Sequence, residues 1–273
     1  MNHSAMIETS FIDGAAGRIE FLRQKPEGAA RGAVLLVHGA WHGAWCWAPH
    51  FLPAFAAKGL DVGALSLRGH GESEGRVRWA SVGDYVADVR RAAQAMGDPV
   101  VIGHSMGGFV TQHYARRHAV KGFAMLASAP PRGPWRLTLQ LAGRQPLTLL
   151  KTLLTLDLFP VVSDRTQALD FLYSCGPEER AFDAYVDQLQ SESFRVFNDM
   201  LLNPVDRSPP QTTPRAVFGA EHDHAFPAED VEKTAAFHGV APRILAGASH
   251  MAMLDRTHAA SAAAICDWLD EVF

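Results

Sequence analysis

The chain has 273 residues, 48% of them hydrophobic and 20% charged, with a formal net charge of -4. That length buries one large core with room for a modest appendage, and the mild negative charge excludes the basic footprint of a nucleic-acid binder. Three cysteines (Cys46, Cys175 and Cys266) have no metal spacing and cannot all pair. A soluble, cytoplasmic chain without stable membrane insertion is therefore expected, because no charged-then-apolar leader and no uncharged apolar stretch of ~18 residues is seen either.

In chain order, the first strands are expected at 17–24 and 33–38. The second contains the continuous apolar run Ala33-Val34-Leu35-Leu36-Val37, which suits a strand covered on both faces. A helix at 47–58 ends at Gly59, and a strand follows at 60–67. Residues 81–96 carry Val82, Tyr85, Val86, Val89 and Ala93 at helical spacing. A short strand at 100–102, a helix at 108–118 and a strand at 123–126 continue the alternation. Arg90-Arg91 and Arg116-Arg117 read as solvated helix faces. Alternating strands and helices with short joints mean a parallel sheet with right-handed crossovers.

The alternation stops near Pro130. Residues 131–211 offer two or three helix-like segments and no good strand, so they read as a helical cap inserted in a core formed by 1–130 and 212–273. The pattern resumes with a strand at 216–218, a helix at 227–238, a strand at 243–245 and a helix at 257–272. The cap stretch 137–159 is rich in leucine, including Leu137, Leu141, Leu149, Leu150 and Leu154. Most of these leucines are expected to fasten the cap to the core, and the rest to face an apolar substrate.

Gly103-His104-Ser105-Met106-Gly107-Gly108 follows a buried strand and opens a helix. This is the G-x-S-x-G arrangement, in which a serine sits on a strained strand-to-helix turn above a helix N-terminus. Serine needs a neutral imidazole as base, itself oriented by a carboxylate. Five histidines lie after the cap: His222, His224, His238, His250 and His258. His250 is the base candidate, since its loop returns to the sheet edge above Ser105, while His238 and His258 read as surface or capping residues. Asp223 is the acid candidate, four residues before Pro227. Glu221 and Asp230 are its alternatives, with Asp230 expected to face away. Glu221-His222-Asp223-His224 lacks a third distant ligand, so neither a metal nor any other cofactor is called for.

With these motifs in place, the chain resembles the α/β-hydrolase superfamily over nearly its whole length except the cap. The resemblance rests on the serine elbow, on His38-Gly39-Ala40-Trp41-His42-Gly43 and on Ser66-Leu67-Arg68-Gly69-His70-Gly71-Glu72-Ser73. It implies an α/β fold with a mostly parallel sheet, and an oxyanion hole formed by the backbone N–H groups of Ala40 and Met106. Trp41, directly after the oxyanion position, and His104, directly before the nucleophile, are expected to line the substrate pocket. Members usually carry aspartate where this chain has Ser66. Serine at the elbow disfavours the epoxide hydrolase and dehalogenase branches, whose nucleophile is a carboxylate. Met251 stands where the related hydroxynitrile lyases place a lysine.

The expected function is hydrolysis of a small-molecule carboxylic ester with an apolar acyl or aryl group. Monoglyceride or lysophospholipid lipase activity and C–C bond hydrolysis are the alternatives on the same triad. A purely binding member of the fold is disfavoured, since all three triad positions are filled.

Overall fold

Strand β3 (Gly32–Val37) lies at the centre of an eight-stranded sheet in the computed structural model, which describes residues 6–174 and 179–273. Its period-two alternation divides the core. Val34 and Leu36 pack with α1 (Phe51–Ala57) and α10 (His258–Val272) on one face. Leu35 and Val37 meet α2 (Val82–Met96) and α3 (Met106–Ala115) on the other. A strand covered on both faces has no polar side, which is why it reads as a continuous apolar run.

The other strands are β1 (Glu8–Gly14), β2 (Gly17–Gln24), β4 (Leu60–Leu65), β5 (Val100–His104), β6 (Phe123–Leu126), β7 (Arg215–Ala220) and β8 (Pro242–Leu245). Their order across the sheet is β1-β2-β4-β3-β5-β6-β7-β8. Only β1 and β2 run antiparallel to their neighbours; every pairing from β4 to β8 is parallel. Helix α9 (Ala228–His238) joins β7 to β8. This is the expected α/β-hydrolase fold. Parallel strands point their C-terminal ends to one edge, so the loops after β3, β5, β7 and β8 gather there.

Several sequence expectations need correction. No strand was expected before residue 17, yet β1 pairs with β2 through the two-residue turn at 15–16. Its residues are exposed or half-buried, and its stability comes from the ladder to β2 rather than from an apolar run of its own. The helix expected at 47–58 is a short 3-10 turn, Ala44–Trp47, followed by α1. Pro53, which has no N–H to donate, sits in the first turn of α1, where that donor is not needed. His238 is buried: Ser208 and Gln112 contact its two ring nitrogens, and its ring meets the edge of Phe123. Arg116 is not a free solvated residue but pairs with Asp206.

Between β6 and β7 the chain forms α4 (Trp135–Arg144), α5 (Pro146–Thr155), α6 (Arg165–Leu172), α7 (Glu179–Val186) and α8 (Phe194–Leu202), more helices than the two or three expected. The leucines of 137–159 split by helix face. Leu139, Leu147, Leu150, Leu153 and Leu154 point outward and are 50–79% exposed, so they do not fasten this segment to the core. Leu137, Leu141 and Leu149 face inward to the cavity described below. Cys46 and Cys266 are buried free thiols; Cys175 lies outside the described residues.

Candidate active site

Ser105 joins β5 to α3 with φ 53° and ψ -120°, a left-handed conformation that costs a non-glycine residue about 1–3 kcal/mol. Its neighbours make that turn possible. A Cβ on Gly103 would lie 2.2 Å from the Gly107 carbonyl oxygen, and one on Gly107 would lie 2.2 Å from that of His38. Three backbone segments thus meet with no room for a methyl group. The reward is position: Ser105 stands over the N-terminus of α3, whose first N–H groups lack intrahelical acceptors and carry partial positive charge.

The loops after β7 and β8 bring the other two groups. Ser105 Oγ lies 3.0 Å from His250 Nε2, and His250 Nδ1 lies 2.9 Å from Asp223 Oδ2. All three residues are buried. A carboxylate on Nδ1 can only accept, so the ring proton belongs there and Nε2 is left free to accept from the serine hydroxyl. Asp223 is itself held by the backbone N–H groups of Ala225 and Phe226, at 2.7 and 2.9 Å on Oδ1. Asp255 braces the histidine loop, accepting from the Ser249 N–H and hydroxyl with one oxygen and from Thr257 with the other.

The alternative carboxylates stand elsewhere. Glu221 is exposed and accepts from Gly247 N–H. Asp230, on α9, is buried and 3.9 Å from Arg136; burial raises its pKa. His222 and His224 are exposed, and the ring of His258 stacks on that of His50 at 3.6 Å. Among the described residues no group of three or more His, Cys, Asp or Glu side chains could hold a metal ion.

Above Ser105 lies a cavity lined mostly by apolar side chains. Ala40, Trp41, Met106 and His250 border it from the core side. Leu137 and Leu141 of α4, Leu149 of α5, Phe171 of α6, and Phe197 and Met200 of α8 border it from the helical segment. Trp41, on the cavity wall, has a positive φ and donates its indole N–H to the Leu158 carbonyl.

His104 does not line the cavity, contrary to expectation. Its Nε2 contacts the His250 carbonyl oxygen at 2.9 Å and its ring meets the edge of Trp47, so it supports the histidine loop from below. The strand's alternation explains this: adjacent residues point to opposite sides, and Ser105 takes the cavity side.

Sequence reasoning missed Phe171 and Phe226, whose rings lie 6.2 and 5.7 Å from that of His250, and it missed Glu192 in the cavity wall. No local pattern marks these positions, although Phe226 adjoins the acid loop. Where relatives usually carry aspartate, Ser66 donates to Glu20 Oε2 at 2.6 Å and accepts the Ala44 N–H, so a carboxylate from β2 supplies the missing charge.

Several buried histidines are tuned to neutrality. Burial pushes His42, His113 and His238 down to about 4, with help from Arg116 at His113 and from Arg215 at His238. Burial also lowers His38 and His104 well below the ordinary 6.5. A histidine depressed in the folded state takes up its proton more readily when unfolded, so the unfolded chain binds more protons between about pH 4 and 6.5. Stability is complete above the unfolded value and is lost as the pH falls through that window, by roughly 3 kcal/mol for each of His42, His113 and His238. His70 works the other way: despite burial, Glu192 raises it, and its contribution fades as the pH rises through its folded value. The expected net result is a melting temperature that falls steeply from about pH 6.5 to 4 when followed by circular dichroism. An unchanged melting temperature across that range would contradict the neutral assignments.

Comparisons with known proteins identify the family. The chain is 34% identical over 137 residues to a monoacylglycerol lipase of Mycolicibacterium smegmatis, covering 48% of this chain and 49% of the lipase. It is 34% identical over 115 residues to protein phosphatase methylesterase 1 of Bos taurus, covering 40% of this chain and 30% of that protein. The matches therefore span half or less of these relatives. Among solved structures, an esterase from Exiguobacterium antarcticum superposes with a TM-score of 0.76 at 13% identity, over 96% of this chain and 100% of that one, a likeness of fold. A family model described as the alpha/beta hydrolase family matches residues 34–264, and this chain belongs to that family.

Proposed function

We propose that this protein is a carboxylic ester hydrolase acting through an acyl-enzyme on Ser105. The observation that carries this reading is the Ser105–His250–Asp223 chain of hydrogen bonds at the floor of an apolar cavity. Ser105 Oγ attacks the ester carbonyl carbon while its proton passes to His250 Nε2. Asp223 supports the imidazolium that forms, and the N–H groups of Ala40 and Met106 hold the oxyanion. His250 then gives its proton to the departing alkoxide, the C–O bond breaks and the alcohol leaves. Water attacks the acyl carbon, loses its proton to His250, and the acid is released as Ser105 recovers that proton.

Residues 131–211 act as a lid that selects the substrate. Leu141, Leu149, Phe171 and Phe197 border the cavity from this segment, so an uncharged acyl or aryl group gains by entering. Met251, buried beside the base, brings no cation to the site, which favours ester hydrolysis over cyanohydrin cleavage. The monoacylglycerol lipase and methylesterase names of the two relatives point the same way.

A panel of p-nitrophenyl esters from acetate to palmitate tests this reading. Each methylene buried is worth up to ~0.8 kcal/mol, close to a fourfold gain. Part of that gain goes to ordering chain and lid. kcat/KM should rise from acetate to butyrate or hexanoate and fall once the chain outgrows the cavity. Failure to hydrolyse any member, or a rate that falls from acetate onward, would remove the acyl-pocket reading.

A further inference from the structure

Monomeric proteins rarely expose large apolar side chains in clusters. The outer face of α5 does so. Leu147, Leu150 and Leu154 recur at intervals of four and three residues and stack on one helix face, each more than half exposed, with Lys151 among them. Leu149, on the opposite side, borders the catalytic cavity. Helix α5 is thus apolar on both sides, and the cavity accounts for only one of them. Neighbouring elements extend the outer patch. Helix α4 adds Trp135 and Leu139, 48% and 69% exposed, while its Leu137 and Leu141 border the cavity from within. Arg78 Nη2 donates to the Thr155 carbonyl at 2.8 Å, which sets Trp79, 55% exposed, beside the end of α5.

The charges around these side chains are of one sign. From residue 99 to residue 156 the sequence has no aspartate or glutamate, although the chain's net charge is -4. Arg132, Arg144 and Lys151 are exposed, and none forms an ion pair among the described residues. Arg136 alone of the cations in 132–155 reaches a carboxylate, Asp230 at 3.9 Å. Self-association through this face would press like charges together. Leucine and tryptophan fringed by lysine and arginine match an anionic lipid surface instead. The apolar groups sink past the headgroups, and the cations stay level with the phosphates. Helices α4 and α5 have ten residues each, about 15 Å, half a bilayer's apolar thickness, so they can lie on a bilayer but not cross it.

We propose that the outer face of α4 and α5, with Arg78 and Trp79, docks on bilayers that carry anionic phospholipid. This surface does not depend on the ester-hydrolase reading. Where both hold, docking brings the catalytic cavity within about one helix diameter, ~10 Å, of the lipid, since the same two helices border it from inside.

Co-sedimentation with vesicles tests the proposal, comparing phosphatidylcholine alone with an equal mixture of phosphatidylcholine and phosphatidylglycerol. Partitioning should be about tenfold or more stronger on the mixed vesicles and should weaken as salt is raised. Leu150→Ser combined with Leu154→Ser should lower it about tenfold. Lys151→Glu should lower the preference for phosphatidylglycerol severalfold and leave binding to phosphatidylcholine unchanged. These side chains are exposed and do not border the cavity, so hydrolysis of p-nitrophenyl butyrate in solution should not change in either variant.

No partitioning on the mixed vesicles, or equal partitioning on both kinds, would overturn the proposal. So would partitioning that the paired leucine substitutions leave intact. A dimer that those substitutions disperse, in a protein that ignores vesicles, would assign the face to a second copy and overturn it as well. If the paired variant does not fold, Lys151→Glu and the salt dependence decide. Ester hydrolysis without vesicle binding would remove the docking surface and leave the ester-hydrolase reading standing. Vesicle binding by a protein that hydrolyses no ester would do the reverse.

Discussion

Replacing Ser105 by alanine is expected to lower ester hydrolysis by roughly 10³-fold or more while leaving the melting temperature nearly unchanged. Alanine keeps the Cβ, so the left-handed turn at φ 53° is as strained as before, and the close approach of Gly103 and Gly107 is untouched. Only Oγ is lost, together with its contact to His250 Nε2. No acyl-enzyme can then form, and the oxyanion donors and cavity account for whatever rate remains. Steady-state kinetics on the preferred p-nitrophenyl ester, with thermal unfolding alongside, makes the comparison. Retention of more than a few per cent of activity by a folded variant would mean that another nucleophile acts.

Asp223→Asn is expected to cost about 10³- to 10⁴-fold in kcat/KM, because it reverses a proton rather than removing a contact. Asp223 Oδ1 accepts two backbone N–H groups, from Ala225 and Phe226. An asparagine therefore keeps its carbonyl oxygen on that side and turns its NH₂ toward His250 Nδ1. The imidazole must then accept at Nδ1 and carry its proton on Nε2, where it can no longer take one from Ser105. Glu221→Gln and Asp230→Asn are the controls. Glu221 is exposed and bonded to Gly247 N–H, and Asp230 faces Arg136, so neither orients the base. A greater loss from either control than from Asp223→Asn would assign the acid wrongly.

How much of this was legible beforehand differs by element. The runs in β3 and β5 were readable because strands buried on both faces are apolar throughout. Strand β1 was not, because its residues are exposed or half-buried and its order comes from pairing with β2. Helix α2 was readable from its apolar stripe, and Ser81 and Asp84 close its N-terminus with a capping box. The segment between β6 and β7 was recognisable as a break in alternation, but the number of its helices and the direction of its leucines were not. A leucine facing solvent and one facing a cavity look alike in sequence, and only the rotation of each helix separates Leu150 from Leu149. His238 was misread for a similar reason: its partners Ser208 and Gln112 are distant in the chain.

The sequence by itself determined most of the order of strands and helices from β2 onward, the serine elbow, and the selection of His250 and Asp223 as candidates from among many. Those features depend on neighbours along the chain: apolar runs, small residues around Ser105, and fixed offsets from strand ends and from Pro227. Only the tertiary structure decided what meets across the chain. It put His104 beneath the histidine loop instead of in the cavity. It set Phe171 and Phe226 near His250, and joined Glu20 to Ser66. It also brought Glu192, between α7 and α8, against His70 and Tyr85. The physical reason is the same in each case: a contact between residues far apart in sequence leaves no local pattern, because its energy is realised only once the packed core brings them together.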